Sequence, residues 1–231
     1  VASAVDICNL ALSWLGDSGT VTEISPPEGS AQAERCATFY PIARDSLLSM
    51  HDWNFNTRRG TLTGVTLPTD ITEWLYAYAL PNDTLSVLQI MPVGVTNENQ
   101  QSYYNGNGGV SGYTQGAQTY IQPPGRYTPQ PFEIETDAAG NLMLLCNIPN
   151  VRARWTVRVS DTSKFSPLFV DTMGNFLASY LAGPILKGDV GRAEAKGQYG
   201  IAMVKMGKAT TQDANQKYST TSPAAPWMAN R

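Results

Sequence analysis

The stretch from Ser30 to Phe55 constrains the fold more than any other part of the chain. Ser30 can accept from the first orphan amides of a helix. Ala33, Cys36, Tyr40, Ala43, Leu47 and Met50 then recur at 3-4 spacing, which marks one buried helical face about five turns long. Pro41 falls inside this pattern. It removes one backbone donor and crowds the carbonyl of Ala37, so a kinked rather than a broken helix is expected. The helix runs out into His51-Asp52-Trp53-Asn54-Phe55, where two large aromatics stand two residues apart. A stripe of that length must find partners elsewhere in the chain.

Further helical patterns lie towards both ends. Ser3 and Asp6 form a capping-box-like start, followed by Val5, Cys8, Leu12 and Leu15, with Ile7, Ala11 and Trp14 widening the stripe. Gly16 supplies the left-handed position that ends a helix over residues 2–15. Gly19, Pro26, Pro27 and Gly29 make residues 17–29 a loop. Late in the chain, Ser166 and Pro167 suit an N-cap and first helical position. Phe169, Met173, Phe176, Leu177, Tyr180 and Leu181 form the stripe of that helix, and Gly183-Pro184 is expected to end it. Asp189 is then expected to cap a final helix reaching about Lys217. On it Val190, Ala193, Gly197, Gly200, Val204, Gly207, Thr211 and Ala214 recur at 3-4 spacing, a small-residue stripe expected to let another helix backbone approach closely. Residues 219–231, with two prolines and Trp227, read as an extended tail that does not fold by itself.

Between these ends the period changes from helical to alternating, beginning at Thr57. Trp74, Tyr76, Tyr78 and Leu80 share one face of an expected strand, with Leu75, Ala77 and Ala79 on the other. Pro81-Asn82-Asp83 is turn chemistry, and residues 84–91 form the next strand. Residues 132–136 and 142–148 read as a hairpin, and residues 151–160 alternate with Ala153, Trp155, Val157 and Val159 inward. Residues 97–131, dense in Asn, Gln, Gly, Tyr and Pro, read as a long loop with one short strand over 117–122. The fold class is therefore α+β: a helical bundle from residues 1–56 and 161–218, with an antiparallel β domain, 57–160, inserted between them. The Ser30–Phe55 stretch is expected to be the strut between the two, with Trp53 and Phe55 at the junction.

Charged residues make up 15% of the chain, against roughly 25% in ordinary soluble domains, which suits a surface used in static contacts. The net charge of −3 and the lack of any basic run exclude a protein that grips nucleic acid by its phosphates. Cys8, Cys36 and Cys146 are odd in number and widely spaced among apolar neighbours, so buried free thiols are expected rather than disulfides or a zinc site. No apolar run reaches the ~18 residues of a membrane span, and there is no signal-peptide pattern.

Candidate chemistry is sparse. His51, the only histidine, sits at a helix end beside Asp52, where a structural role is expected. Gly106-Asn107-Gly108-Gly109 neither follows a clear strand nor opens a helix, so it is not a nucleotide-binding fingerprint. Glu133 and Glu135 share one strand face and could serve glycoside chemistry, although solvated carboxylates are far commoner. Arg152, Arg154 and Arg158 form a basic strand face, read as solvated or salt-bridged before any contact with an acidic subunit or DNA. Tyr103, Tyr104, Tyr113, Tyr120 and Tyr127 make the Tyr-rich loop the best binding surface. No catalytic, cofactor-binding or metal-binding set is expected.

Several segments taken in order resemble the tail tubular protein A family, the head-to-tail adaptors of short-tailed bacteriophages. They are Ile7-Cys8-Asn9-Leu10-Ala11-Leu12 with Leu15-Gly16, Ala33-Glu34-Arg35-Cys36, and Tyr40-Pro41-Ile42-Ala43-Arg44-Asp45 with Leu47-Leu48. The Asp52-Trp53-Asn54-Phe55 exit with Arg58-Arg59, the run Tyr76-Ala77-Tyr78-Ala79-Leu80-Pro81-Asn82-Asp83, and residues 161–169 continue the pattern. The resemblance covers residues 5–90 and 150–215 and leaves 97–131 unmatched, as befits a variable loop. It implies a non-enzymatic virion protein assembled in the host cytoplasm. It also implies a closed ring, commonly of twelve subunits, between the portal and the nozzle protein, tail tubular protein B. Tail fibres or spikes are further possible partners, and DNA would pass the lumen without sequence-specific binding. The Trp227-bearing tail, 219–231, would then be a docking arm. The alternatives are a receptor- or glycan-binding tail protein and, further off, a glycan hydrolase using Glu133 and Glu135.

Overall fold

The computed structural model describes residues 2–92, 104–105, 109–110, 112–115, 118–121, 130–137 and 139–216, with backbone alone for the segments between 104 and 121. It is an α+β structure in which helices from the two chain ends flank a region of antiparallel sheets. The chain divides into two compact units. One comprises Val1–Asn56 with Arg158–Lys217, and the other is built on Thr57–Val157.

In the helical unit, α1 (Ala4–Trp14) opens on a reciprocal cap. The Ser3 Oγ accepts from the Asp6 amide at 3.1 Å, and the Asp6 carboxylate accepts from the Ser3 amide at 2.8 Å. The helix gives way to Gly16 at φ +73°. α2 (Ala31–Ser49) starts from Ser30, whose Oγ accepts from the Ala33 amide, and passes through Pro41 without a break. Its buried residues are Ala33, Cys36, Tyr40, Ala43, Leu47 and Leu48. Met50, expected on that stripe, is 46% exposed because it is the C-cap, where the chain leaves the helical path.

Helix α3 (Pro167–Leu186) is the centre of this unit. Every residue from Thr172 to Ala178 is buried, so α3 has no free face over two turns. It begins on Ser166, as expected, but does not stop at Gly183-Pro184. It ends instead at Lys187, which has φ +55° and whose amide donates to the Gly183 carbonyl. α4 (Gly188–Asn215) therefore starts two residues early, and Asp189 lies in its first turn rather than at its cap. Two glycines set how closely the helices approach α3. A Cβ on Gly174 would stand 2.8 Å from the Trp14 ring of α1, and a Cβ on Gly191 of α4 would stand 2.9 Å from the Ala182 carbonyl oxygen.

Past α2, Trp53 is fully buried, with its Nε1 donating to the Leu47 carbonyl at 3.1 Å. Its ring meets Phe169 edge-on at 5.0 Å and stacks on Phe55, which in turn packs on Phe165 and Phe169. Phe165 and Phe169 thus give Trp53 and Phe55 aromatic partners within the helical unit. The chain leaves this unit at Asn56, whose Nδ2 donates to the Leu48 carbonyl at 3.2 Å. It re-enters at Arg158, whose Nε lies 2.8 Å from the Asp45 carboxylate.

The β unit contains β1 (Thr57–Thr61), β2 (Thr63–Val65), β3 (Tyr76–Ala79) and β4 (Thr84–Pro92), then β5 (Tyr104–Asn105), β6 (Gly109–Val110), β7 (Gly112–Gln115) and β8 (Gln118–Ile121), and finally β9 (Phe132–Thr136), β10 (Leu142–Cys146) and β11 (Val151–Val157). Two antiparallel sheets run β1-β11-β4 and β2-β3-β10-β9. Asp137 turns the β9–β10 hairpin by accepting from the amides of Ala139 and Asn141, with Gly140 at φ +82°. The span expected to be a loop with one strand holds two antiparallel strand pairs, β5–β6 and β7–β8. In the second, the backbone register sets Tyr113 opposite Tyr120 and Thr114 opposite Thr119, residue types that favour strands. Ala153, Trp155, Val157 and Val159 are buried, as their alternation indicates. Tyr76 and Tyr78, expected to share a strand face, differ in burial. Tyr76 is 38% exposed at the first position of β3, whereas Tyr78 is buried and its hydroxyl donates to the Ile148 carbonyl at 2.8 Å. Trp74 lies outside the strand.

Two outcomes test this packing. Trp53→Ala is expected to cost about 3–5 kcal/mol in denaturant unfolding, the range for deleting a large core aromatic. Tyr40 is buried with an unpartnered hydroxyl, and burial pushes its pKa up to about 12. An unfolded tyrosine ionises near ~10, so above that pH the unfolded chain releases a proton that the folded chain keeps. Stability should therefore fall as pH rises from ~10 towards 12. Tyr40→Phe should gain about 1 kcal/mol at neutral pH and flatten that alkaline decline in pH-dependent melting.

Candidate functional site

Helix α4 has two faces of opposite fate. Gly191, Gln198, Ala202, Met206, Ala209 and Asp213 are buried. Here Gln198 accepts from Asn175 of α3 at 2.6 Å, and Lys205 reaches Asp171 of α3 at 2.8 Å while lying 4.5 Å over the Trp14 ring. The other face is open. Val190 is 69%, Ile201 46% and Val204 64% exposed, and Ala193, Gly197, Gly200 and Gly207 lie among them in the open. A Cβ added at Gly197, Gly200 or Gly207 would meet nothing within 4 Å. The stripe expected to receive another helix is thus uncovered in the monomer. The glycine that does admit a neighbour, Gly191, belongs to the opposite face.

Each exposed mid-helix glycine costs about 1 kcal/mol against alanine. Among the described residues no contact at these glycines offsets that cost. Lys196 and Lys208 border it, and neither makes an ion pair among the described residues. The result is a shallow apolar groove with a cationic rim.

At the far end of α4 a polar clamp ties the last turn to the exit of α2. Asp213 Oδ1 accepts from the Asn54 amide at 3.1 Å, Asn54 Nδ2 donates to the Asp213 carbonyl at 2.8 Å, and His51 Nε2 lies 3.3 Å from Asp213 Oδ2. His51 Nδ1 is 3.5 Å from Asp52, and the ring meets Trp53 edge-on at 4.8 Å. The lone histidine therefore fastens two helix ends together.

No protein-family model matches the chain, and no curated protein matches it significantly. The geometry of its own residues carries the functional reading.

The remaining sequence candidates are dispersed. Glu133 and Glu135 lie exposed on β9, an edge strand, and Glu133 accepts from Trp74 Nε1 at 3.1 Å. Arg152 and Arg154 are half-buried on β11; that strand ends at Val157, and Arg158 pairs with Asp45 in the helical unit. Tyr104, Tyr113 and Tyr120 lie on strands β5, β7 and β8, and Gly109 starts β6. Tyr103, Tyr127, Gly106, Asn107, Gly108 and the tail with Trp227 lie outside the described residues. Cys8, Cys36 and Cys146 are free and buried. The Cys8 thiol is held well above its usual range by its hydrogen bond to Cys36 and by burial. Among the described residues no helix is long and apolar enough to cross a membrane, and no group of three or more His, Cys, Asp or Glu is placed to hold a metal. A second hollow, of about 460 Å³, opens in the β unit beside Val65, Leu75 and Tyr76.

The two faces of α4 predict opposite responses to one added methyl. Gly200→Ala should raise stability by about 1 kcal/mol, because helix propensity improves and nothing is displaced. Gly191→Ala should lower it, because the new Cβ collides with the α3 backbone. Thermal melting of the two variants checks both signs.

Proposed function

We propose that this chain is a structural subunit of a head-to-tail adaptor ring in the virion of a short-tailed bacteriophage. In that role it joins the portal to the tail nozzle protein, and the ring forms part of the channel through which DNA is ejected. The observation that carries the reading is the open face of α4. A monomer that leaves Val190, Ile201 and Val204 exposed over three uncontacted glycines holds a surface prepared for a rigid neighbour. The ordered segments resembling the adaptor family support it. So does the arrangement of helices from both chain ends flanking a β region.

The chemistry of the chain agrees with a static role. Its net charge of −3 suits a channel wall that must let a polyanion slide without retaining it. The clamp of His51, Asn54 and Asp213 uses the only histidine for fastening.

Negative-stain electron microscopy of the purified chain mixed with a short-tailed phage portal tests the proposal. The expected result is an added ring of density at the tail-side face of the portal, with the copy number set by the symmetry. Failure to bind any portal of that class, with the chain remaining monomeric throughout, would overturn it.

A further inference from the structure

We infer that the α4 groove of one copy receives the outer face of α2 of a second copy, packed antiparallel. The outer stripe of α2 is Ala31, Glu34, Thr38, Ile42, Asp45 and Ser49, at 3-4 spacing on the side turned away from its buried residues. Ile42 projects from it, 48% exposed. Glu34 is exposed and makes no ion pair among the described residues.

The two stripes match in register. With the helices antiparallel and Ile42 seated over Gly200, Thr38 falls on Val204, Glu34 on Lys208 and Ser49 on Ala193. From Ile42 to Glu34 is eight residues, about 12 Å of helix, and from Gly200 to Lys208 is the same. The one large apolar side chain of the outer α2 stripe thus meets a glycine, and an unpaired acid meets an unpaired base. Parallel packing in that register would instead bring Glu34 to Arg192, which already pairs with Asp189.

The hydroxyls along both stripes can be dried without losing a partner. Thr38 donates to the Glu34 carbonyl at 2.9 Å and Ser49 to the Asp45 carbonyl at 2.8 Å. On α4, Thr211 donates to the Gly207 carbonyl at 2.8 Å. Each is satisfied within its own helix, so burial strands no hydrogen bond and leaves methyl or methylene groups facing outward.

The contact uses different surfaces on the two copies, so it is head-to-tail and propagates until rotation closes it or a filament forms. It supplies the subunit contact that the ring requires, and only its closure into a ring rests on the function proposed above.

Charge reversal tests the register by sedimentation of the full chain across a concentration series. Glu34→Lys and Lys208→Glu should each weaken self-association about tenfold, the scale of turning an exposed attractive pair repulsive. The double variant should recover it. An equimolar mixture of the two single variants should also recover it, because alternating copies restore opposite charges at every contact. Gly200→Leu should abolish association while keeping the melting temperature at or above that of the parent, since leucine favours the helix and a Cβ at this exposed position meets no described atom within 4 Å. A parent that stays monomeric at every concentration, or assembly indifferent to these changes, would overturn the contact. Closed dimers or filaments that respond to the substitutions would uphold the contact and overturn the ring.

Discussion

The helical unit depends on α3 being enclosed. A helix with no free face over two turns can be enclosed only if its neighbours come close, and two of them do so at glycines. At Gly174 the Trp14 ring of α1 lies where a side chain would otherwise be, and at Gly191 the backbone of α4 nearly touches that of α3. These contacts put Phe169, Met173 and Phe176 into a dry core and fix which way α4 faces. The open groove is a consequence: once Gly191, Ala202 and Met206 are committed to α3, the remaining stripe of α4 must point outward.

This separation assigns stability and contact to different sides of the same helix. The inner side carries the cation over Trp14, the Asn175–Gln198 bond and the Asp213 clamp, all of which fix α4 in place. The outer side forgoes stability at three glycines and gains a smooth surface. A surface presented on a helix fastened at several points along its length loses little conformational freedom when covered, so modest contacts can hold it.

Much of the fold was legible because local chemistry and tertiary packing agree. Ser3, Ser30 and Ser166 announce helix starts with side chains that accept the first amides, and the alternation of Ala153, Trp155 and Val157 names their buried face. The misreadings fall where two patterns compete. α4 carries interleaved small stripes at helical spacing, and the one richer in Val and Gly reads as the buried one. Contact with α3 chose the other, because a backbone approach at Gly191 matters more there than side-chain hydrophobicity. Proline at 184 suggested an end, yet the helix continues until a positive φ at Lys187 turns the chain. Nothing local marks Asp213 as a partner of His51 and Asn54, since that contact spans most of the chain and forms only after α2 and α4 have docked.

The points where the chain leaves and re-enters the helical unit have a consequence of their own. Asn56 is held to the Leu48 carbonyl, and Arg158 to Asp45, so departure and return are both anchored on the last turns of α2. The helical unit therefore closes its own circuit. To its scaffold the hundred or so intervening residues are an exchangeable cassette, since lengthening a loop whose ends are already fixed adds only slowly to its entropic cost. A lineage could rebuild the surface carried by that cassette while the helices that frame it stay as they are.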